Sequence, residues 1–296
     1  MGYGSWSAKS YVTTSLAKGM SVSADGLLDF SGSAQELYKS RHLDPALDPK
    51  GVIRECRDSE EHPETIPVIL ALDVTGSMGS AAVEVAKTLN VVMTKLYDSV
   101  KDVQFLTMGI GDLAYDRAPI QASQFESDIR ISEQLDKLYF EAGGGGNKYE
   151  SYTAAWYFGL YHTDLDCWKR GQKGIIITMG DETLNPYLPC ADLNRVTGDT
   201  NQTDVETKDL YPKVAEKFDI YHLNVNHLNS SYYDDHFQNC LTTFQEYLGE
   251  RARTVKTEEV ADAIIQIVKD NAASRTAFIS TPSTAAQTDE NGYIVW

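Results

Sequence analysis

Residues 66–73 read IPVILALD, with no polar side chain until the acid that closes the run. A run of this length without polar alternation suits a strand buried on both faces, the usual state of a parallel sheet covered by helices. Directly after it stand Asp73-Val74-Thr75-Gly76-Ser77-Met78-Gly79, and then Val85, Leu89, Val92 and Leu96 recur at helical spacing as far as Tyr97. The chain therefore passes from a fully buried strand through a tight polar turn into an amphipathic helix. That unit belongs to α/β architectures.

The same alternation continues. VQFLTMGIGD at 103–112 predicts a second strand, 120–125 a short extended piece, and 128–140 a helix. Gly143 to Gly146 predict a flexible loop and Glu150 to Tyr161 a helix. KGIIITMGDE is another buried strand ending in acids, DIYHLNVN at 219–226 a further strand, and 234–248 and 258–269 are helical. Strands alternating with helices predict a mostly parallel sheet with helices on both faces, whose ligands sit outside the carboxyl ends of the strands. Three places qualify: after Leu72, after Phe140 and after Met179. Residues 1–62, with Pro45 and Pro49 inside them and Pro63 at their end against helix, read as an N-terminal extension that wraps or links. Residues 63–270 form the domain, and 271–296 a C-terminal tail whose apolar end, Ile294-Val295-Trp296, is expected to dock.

Composition narrows the function. With 26 basic and 43 acidic residues the net charge is −17, which repels nucleic acid and anionic membranes. The apolar runs are too short for a membrane span, and the start MGYGSW lacks a signal-peptide pattern. The expectation is an acidic, cytoplasmic globular protein. Cys56, Cys167, Cys190 and Cys240 show no zinc-type spacing and read as buried or idle thiols.

The chemistry gathers at the strand ends. Asp73, Thr75 and Ser77 offer a carboxylate and two hydroxyls from one short turn, hard oxygen ligands suited to Mg²⁺ or a similar divalent cation. The competing reading makes Ser77 or Thr75 a helix N-cap. In the loop after the glycines, Asn147, Glu150 and Ser151 carry ligand atoms, while Glu150 equally suits a helix N-terminus through its dipole. In Thr178-Met179-Gly180-Asp181-Glu182, Asp181 is either a ligand or an ordinary exposed acid. Tyr149, Tyr152, Trp156, Tyr157 and Tyr161 follow helical spacing, so core packing is their default, with partner contact an alternative for Tyr149 and Tyr152. His222 and His227 read as a polar sheet face or edge.

On the residues ALDVTGSMG, between strand and helix, the chain resembles the von Willebrand factor type A (vWA) domain, whose metal-ion-dependent adhesion site begins Asp-x-Ser-x-Ser. Here the pattern is Asp73-x-Thr75-x-Ser77, which keeps both hydroxyls. The resemblance implies a doubly wound sheet over residues 66–270, with a metal at its upper edge. It also implies a second-loop hydroxyl, where this chain has Asn147, and an acid just after the fourth strand. Met179 stands at that last place, so Asp181 must serve from two residues on. The implied function is non-catalytic. A divalent cation (Mg²⁺ first, Mn²⁺ or Ca²⁺ as alternatives) would capture a carboxylate from a protein partner, in the manner of microbial relatives that act with MoxR-type AAA+ ATPases as adaptors or assembly factors.

Enzyme readings find less support. A haloacid-dehalogenase-type phosphatase needs a second Asp where Thr75 sits. The P-loop and the G-x-S-x-G elbow are absent from the sequence. A metal-dependent phosphohydrolase and an extracellular adhesin remain the alternatives.

Overall fold

The computed structural model describes residues 4–141, 149–228 and 231–280, together with the paired segments Gln287–Thr288 and Ile294–Val295. Eight strands position the site: β1 (Ile66–Asp73), β2 (Val103–Ile110), β3 (Ile120–Ala122), β4 (Tyr149–Glu150), β5 (Gly174–Gly180), β6 (Thr183–Leu184), β7 (Phe218–Asn226) and β8 (Ala252–Lys256). Six of them form one sheet in the order β8-β7-β5-β1-β2-β3. Every neighbouring pair is parallel except β2 with β3. The molecule is thus mixed α/β around a mostly parallel sheet.

The α-helices of six residues or more are α1 (Ala8–Ala17), α2 (Gly79–Tyr97), α3 (Arg130–Leu135), α4 (Thr153–Tyr161), α5 (Cys190–Thr197), α6 (Thr207–Lys217), α7 (Asp234–Leu248) and α8 (Val260–Ser280). Side chains alternate across β1. Val68, Leu70 and Leu72 enter one core with Val85 and Leu89 of α2 and Ile264 and Val268 of α8. Ile69 and Ala71 enter a second core with Trp156, Phe158, Val214 and Phe244 from α4, α6 and α7. This explains the unbroken apolar run: each face of β1 meets a core, and each fully buried aliphatic side chain contributes roughly 1.5–3 kcal/mol by leaving water.

Several boundaries differ from the sequence reading. The strand expected at 103–112 ends at Ile110, and the helix expected at 128–140 shortens to Arg130–Leu135. The helix expected from Glu150 begins at Thr153, because Tyr149–Glu150 pairs instead with Thr183–Leu184. Helices α5 and α6 and strand β8 arise where the sequence showed no period. Helix α8 runs past residue 270 to Ser280.

The N-terminal segment is part of the core. Tyr11, Leu28, Leu37, Tyr38 and Leu47 are buried with the α2 face. The Tyr38 hydroxyl donates to the Ala82 carbonyl at 2.8 Å, and its ring stacks on Phe140 at 4.4 Å. Arg54–Cys56 pairs with Thr163–Leu165. All four cysteines are free, and Cys56, Cys167 and Cys240 are buried. Among the described residues no helix is long and apolar enough to cross a membrane. Trp296 and Asn147 lie outside the described residues.

Candidate metal centre

Register assembles the site. Leu72 pairs with Met179 across β1 and β5, and Asp73 pairs with Ile110 across β1 and β2. Three parallel strands therefore end at one edge of the sheet, where the loops after them converge. Asp73 is fully buried there. Its Oδ1 accepts from the Thr75 backbone N–H at 2.9 Å and the Thr75 hydroxyl at 2.6 Å, and its Oδ2 accepts from the Tyr152 hydroxyl at 2.7 Å. The Ser77 hydroxyl donates to Asp181 Oδ1 at 3.0 Å and lies 3.4 Å from the Thr75 hydroxyl.

These contacts decide against the capping reading. The N-cap of α2 is Met78, with no side-chain cap bond. The hydroxyls of Thr75 and Ser77 turn to carboxylates, not to the helix N–H groups. Thr75 is buried and Ser77 exposed, so the cluster opens to solvent on the Ser77 side.

Met179 is fully buried in the core that holds Leu72, which removes it from any ligand role and explains why the acid comes from beyond the strand end. Asp181 is itself buried, so it is not an ordinary exposed loop acid. Its backbone carbonyl accepts from His236 Nε2 at 2.9 Å, and His227 Nε2 lies 3.7 Å from its Oδ2. Burial holds the His227 pKa below the ordinary histidine value, which disfavours a positive charge on this ring.

Glu150 arrives through the short β4–β6 pairing, which sets it opposite Leu184 and ties the second loop to the third. It is buried, and its Oε2 has no hydrogen-bond partner among the described residues. Glu150 lies two residues before the N-cap Tyr152, outside the first turn of α4, which contains no acid. Burial first, and then the charges of Asp73, Asp116, Asp112 and Glu182, raise its pKa to about 10. Burial and then Asp181 raise Asp73 to about 7, against the opposing hydrogen bonds of Thr75 and Tyr152. Asp181 rises to about 6, mainly by burial, with the Ser77 hydrogen bond pulling the other way.

The arrangement thus brings Asp73, Thr75, Ser77 and Asp181 into one hydrogen-bonded cluster, with Glu150 electrostatically coupled to it. The donor set is all oxygen, the charges that act most on Asp73 and Glu150 are negative, and one buried carboxylate oxygen lacks a partner among the described residues. Such a set fits a hard divalent cation, which would relieve the mutual repulsion.

Two residues of the site escaped the sequence reading. Tyr152 belongs to an aromatic series at helical spacing and is fully buried like a core residue, yet its hydroxyl holds Asp73. Gly180 makes room for it: a Cβ at that position would sit 1.9 Å from the Tyr152 hydroxyl. The reading of His222 as a polar sheet face or edge is corrected. It is fully buried on an interior strand, stacked on Phe244 at 3.4 Å and bonded through Nδ1 to the Thr178 hydroxyl at 2.9 Å.

No family model matches the chain, and no curated protein matches its sequence. Among solved structures, the chain is similar to the pilus adhesin SpaC from Lactobacillus rhamnosus GG in its open conformation, at 11% identity and a TM-score of 0.48. The match covers 75% of this chain and 31% of the adhesin. A second structure of that adhesin matches at 12% identity and a TM-score of 0.45, with the same coverage. The chain therefore spans about a third of the length of the structures it matches.

Proposed function

We propose that the chain is a vWA-like, doubly wound domain that binds a protein partner through a divalent cation and catalyses no reaction itself. Asp73, Thr75, Ser77 and Asp181 would hold the ion, Mg²⁺ first, with Glu150 and Asn147 as contributors from the second loop. The observation that carries this reading is the direction of the two hydroxyls. Thr75 and Ser77 leave the helix end uncapped and instead bridge Asp73 to Asp181. When bound, the cation supplies an exchangeable coordination position for a partner carboxylate. Tyr152 orients Asp73, and the exposed Ser77 marks the side from which a partner would approach. A groove of about 590 Å³ runs from Phe30 and Ser33 to Gly79, Ser80 and His227, which gives a partner segment room next to the site. A MoxR-type AAA+ ATPase is the partner class this reading names.

Metal binding is tested first. At a hundredfold excess over its dissociation constant, Mg²⁺ should stabilise the wild type by about 2.7 kcal/mol through mass action. Asp73→Ala and Ser77→Ala should fold and lose the shift in melting temperature. No shift with Mg²⁺, Mn²⁺ or Ca²⁺, or equal shifts in wild type and Asp73→Ala, would remove the reading. Function is tested with an ATPase encoded beside the gene: a complex that forms with Mg²⁺, dissolves with chelator and is lost in Asp73→Ala supports the adaptor role. Turnover of a phosphate monoester that Asp73→Ala abolishes would replace it with a phosphohydrolase.

A further inference from the structure

We infer a second cation site, for a thiophilic divalent metal such as Zn²⁺, formed by Glu182, His236 and Cys240. The ligand atoms of these three residues all lie within 4.8 Å of one another. His236 and Cys240 are one turn apart on α7, so the helix presents them side by side, and Glu182 comes from the loop that follows β5. None of the three belongs to the oxygen cluster around Asp73, and the inference does not depend on how that cluster is read.

The local geometry approaches that of a zinc ligand pair. A zinc–sulfur bond of about 2.3 Å and a zinc–nitrogen bond of about 2.0–2.1 Å at a tetrahedral angle place sulfur and nitrogen roughly 3.6 Å apart. In the structure Cys240 Sγ lies 3.6 Å from His236 Nε2 and 4.0 Å from Nδ1. His236 Nε2 is 2.9 Å from the Asp181 carbonyl oxygen, which can only accept, so Nε2 carries the proton and Nδ1 keeps its lone pair. A histidine that ligates through one nitrogen and donates from the other to a backbone carbonyl is the usual orientation in metal sites. Nδ1 stands 4.0 Å from Sγ, and the Cys240 thiol donates to the Asp181 carbonyl at 3.4 Å, so ring and thiol must turn inward for the three ligands to close on an ion.

The ligand types set the selectivity. Thiolate and imidazole favour Zn²⁺ and its neighbours over Mg²⁺ and Ca²⁺, which keep to oxygen. On binding, the Cys240 thiol releases its proton to solvent, and the thiolate, the imidazole and the Glu182 carboxylate fill three positions, leaving one open. His236 is part-exposed, so an ion reaches the site from solvent. The consequence for the protein is positional. Glu182 directly follows Asp181, and the Asp181 carbonyl holds His236, so loading this site fixes the loop that presents Asp181 to Ser77.

The test is a Co²⁺ titration of the full chain after treatment with chelator. Wild type should develop the near-ultraviolet thiolate-to-cobalt charge-transfer band, saturating as this one thiolate site fills whatever the oxygen cluster binds, and Zn²⁺ should then displace it. Cys240→Ser should lose the band, while Cys190→Ser, which alters the part-exposed thiol, should keep it. His236→Gln keeps a side chain that can donate to the Asp181 carbonyl at a part-exposed position; it should weaken Co²⁺ by more than the ~10–100-fold typical of losing an outer partner of a metal ligand. Absence of the band in wild type, its persistence in Cys240→Ser, its loss in Cys190→Ser, or wild-type affinity in His236→Gln would each overturn the site.

Discussion

At the scale of single residues, the buried carboxylate of Asp73 depends on a tyrosine and a glycine that meet only in the fold. The Tyr152 hydroxyl satisfies Asp73 Oδ2 at 2.7 Å, and the Glu182 N–H donates to the same hydroxyl at 3.3 Å. Tyr152→Phe should therefore cost about 1.5–3 kcal/mol in urea unfolding, the worth of a hydrogen bond to a charged group, and weaken Mg²⁺ binding as well. Gly180→Ala would drive a Cβ to within 1.9 Å of that hydroxyl. Overpacking of this kind costs typically 1–3 kcal/mol, and the displaced tyrosine should again lower the Mg²⁺ response. Wild-type stability and metal response in both variants would show that Asp73 is held by Thr75 alone. Asp73, Thr75 and Ser77 were legible in the sequence because one short turn carries all three. Tyr152 was not, because its aromatic neighbours Trp156 and Tyr157 are core residues and its own burial follows their pattern. Asp181 was legible only as a displaced acid, since it takes the register of β1 against β5 to show that Met179 faces the core.

Among the secondary-structure elements, what could be read depended on how many faces are buried. β1, β2 and β5 are buried at every position, and their uninterrupted apolar runs announce them. Edge strand β8 is short and buried only at Ala252 and Val255, which leaves too little pattern to recognise. Helix α6 was hidden for a different reason: Pro212 sits inside it, among charged residues. Proline there removes a backbone donor and crowds the preceding turn. Pro212 is exposed, so its replacement loses little packing. Pro212→Ala should restore one helical hydrogen bond and stabilise the protein, by up to the ~3 kcal/mol that separates proline from alanine in a helix interior. A higher urea midpoint with an unchanged slope is the expected result. A lower midpoint would mean that proline's restriction of the unfolded chain outweighs its strain in the helix. The short β4–β6 pairing was equally invisible, because two residues carry no period, although it is this contact that brings Glu150 to the site.

For the whole molecule, the acid cluster adds to a chain that already carries a net charge of −17, and the two effects can be separated. Asp73 moves from 3.8 to about 7 on folding, and Asp181 from 3.8 to about 6. Groups with raised folded pKa values bind more protons in the native state than in the unfolded one, so unfolding free energy falls as pH rises between the two values. Their contribution is fully present below pH ~4 and is lost as pH rises to ~7. Without divalent cations, stability measured by urea unfolding should therefore decline across that window. General surface repulsion predicts a decline of the same sign, but salt screens exposed charges far more than buried ones. The part of the slope that survives in high salt thus belongs to the buried acids, and Asp73→Asn should reduce it. Saturating Mg²⁺ should flatten the curve from the neutral side, because the ion binds the ionised cluster and competes with protons for it. A slope abolished by salt alone, and unchanged by Mg²⁺ or by Asp73→Asn, would place the pH dependence on the surface and leave the strand-end cluster without a part in it.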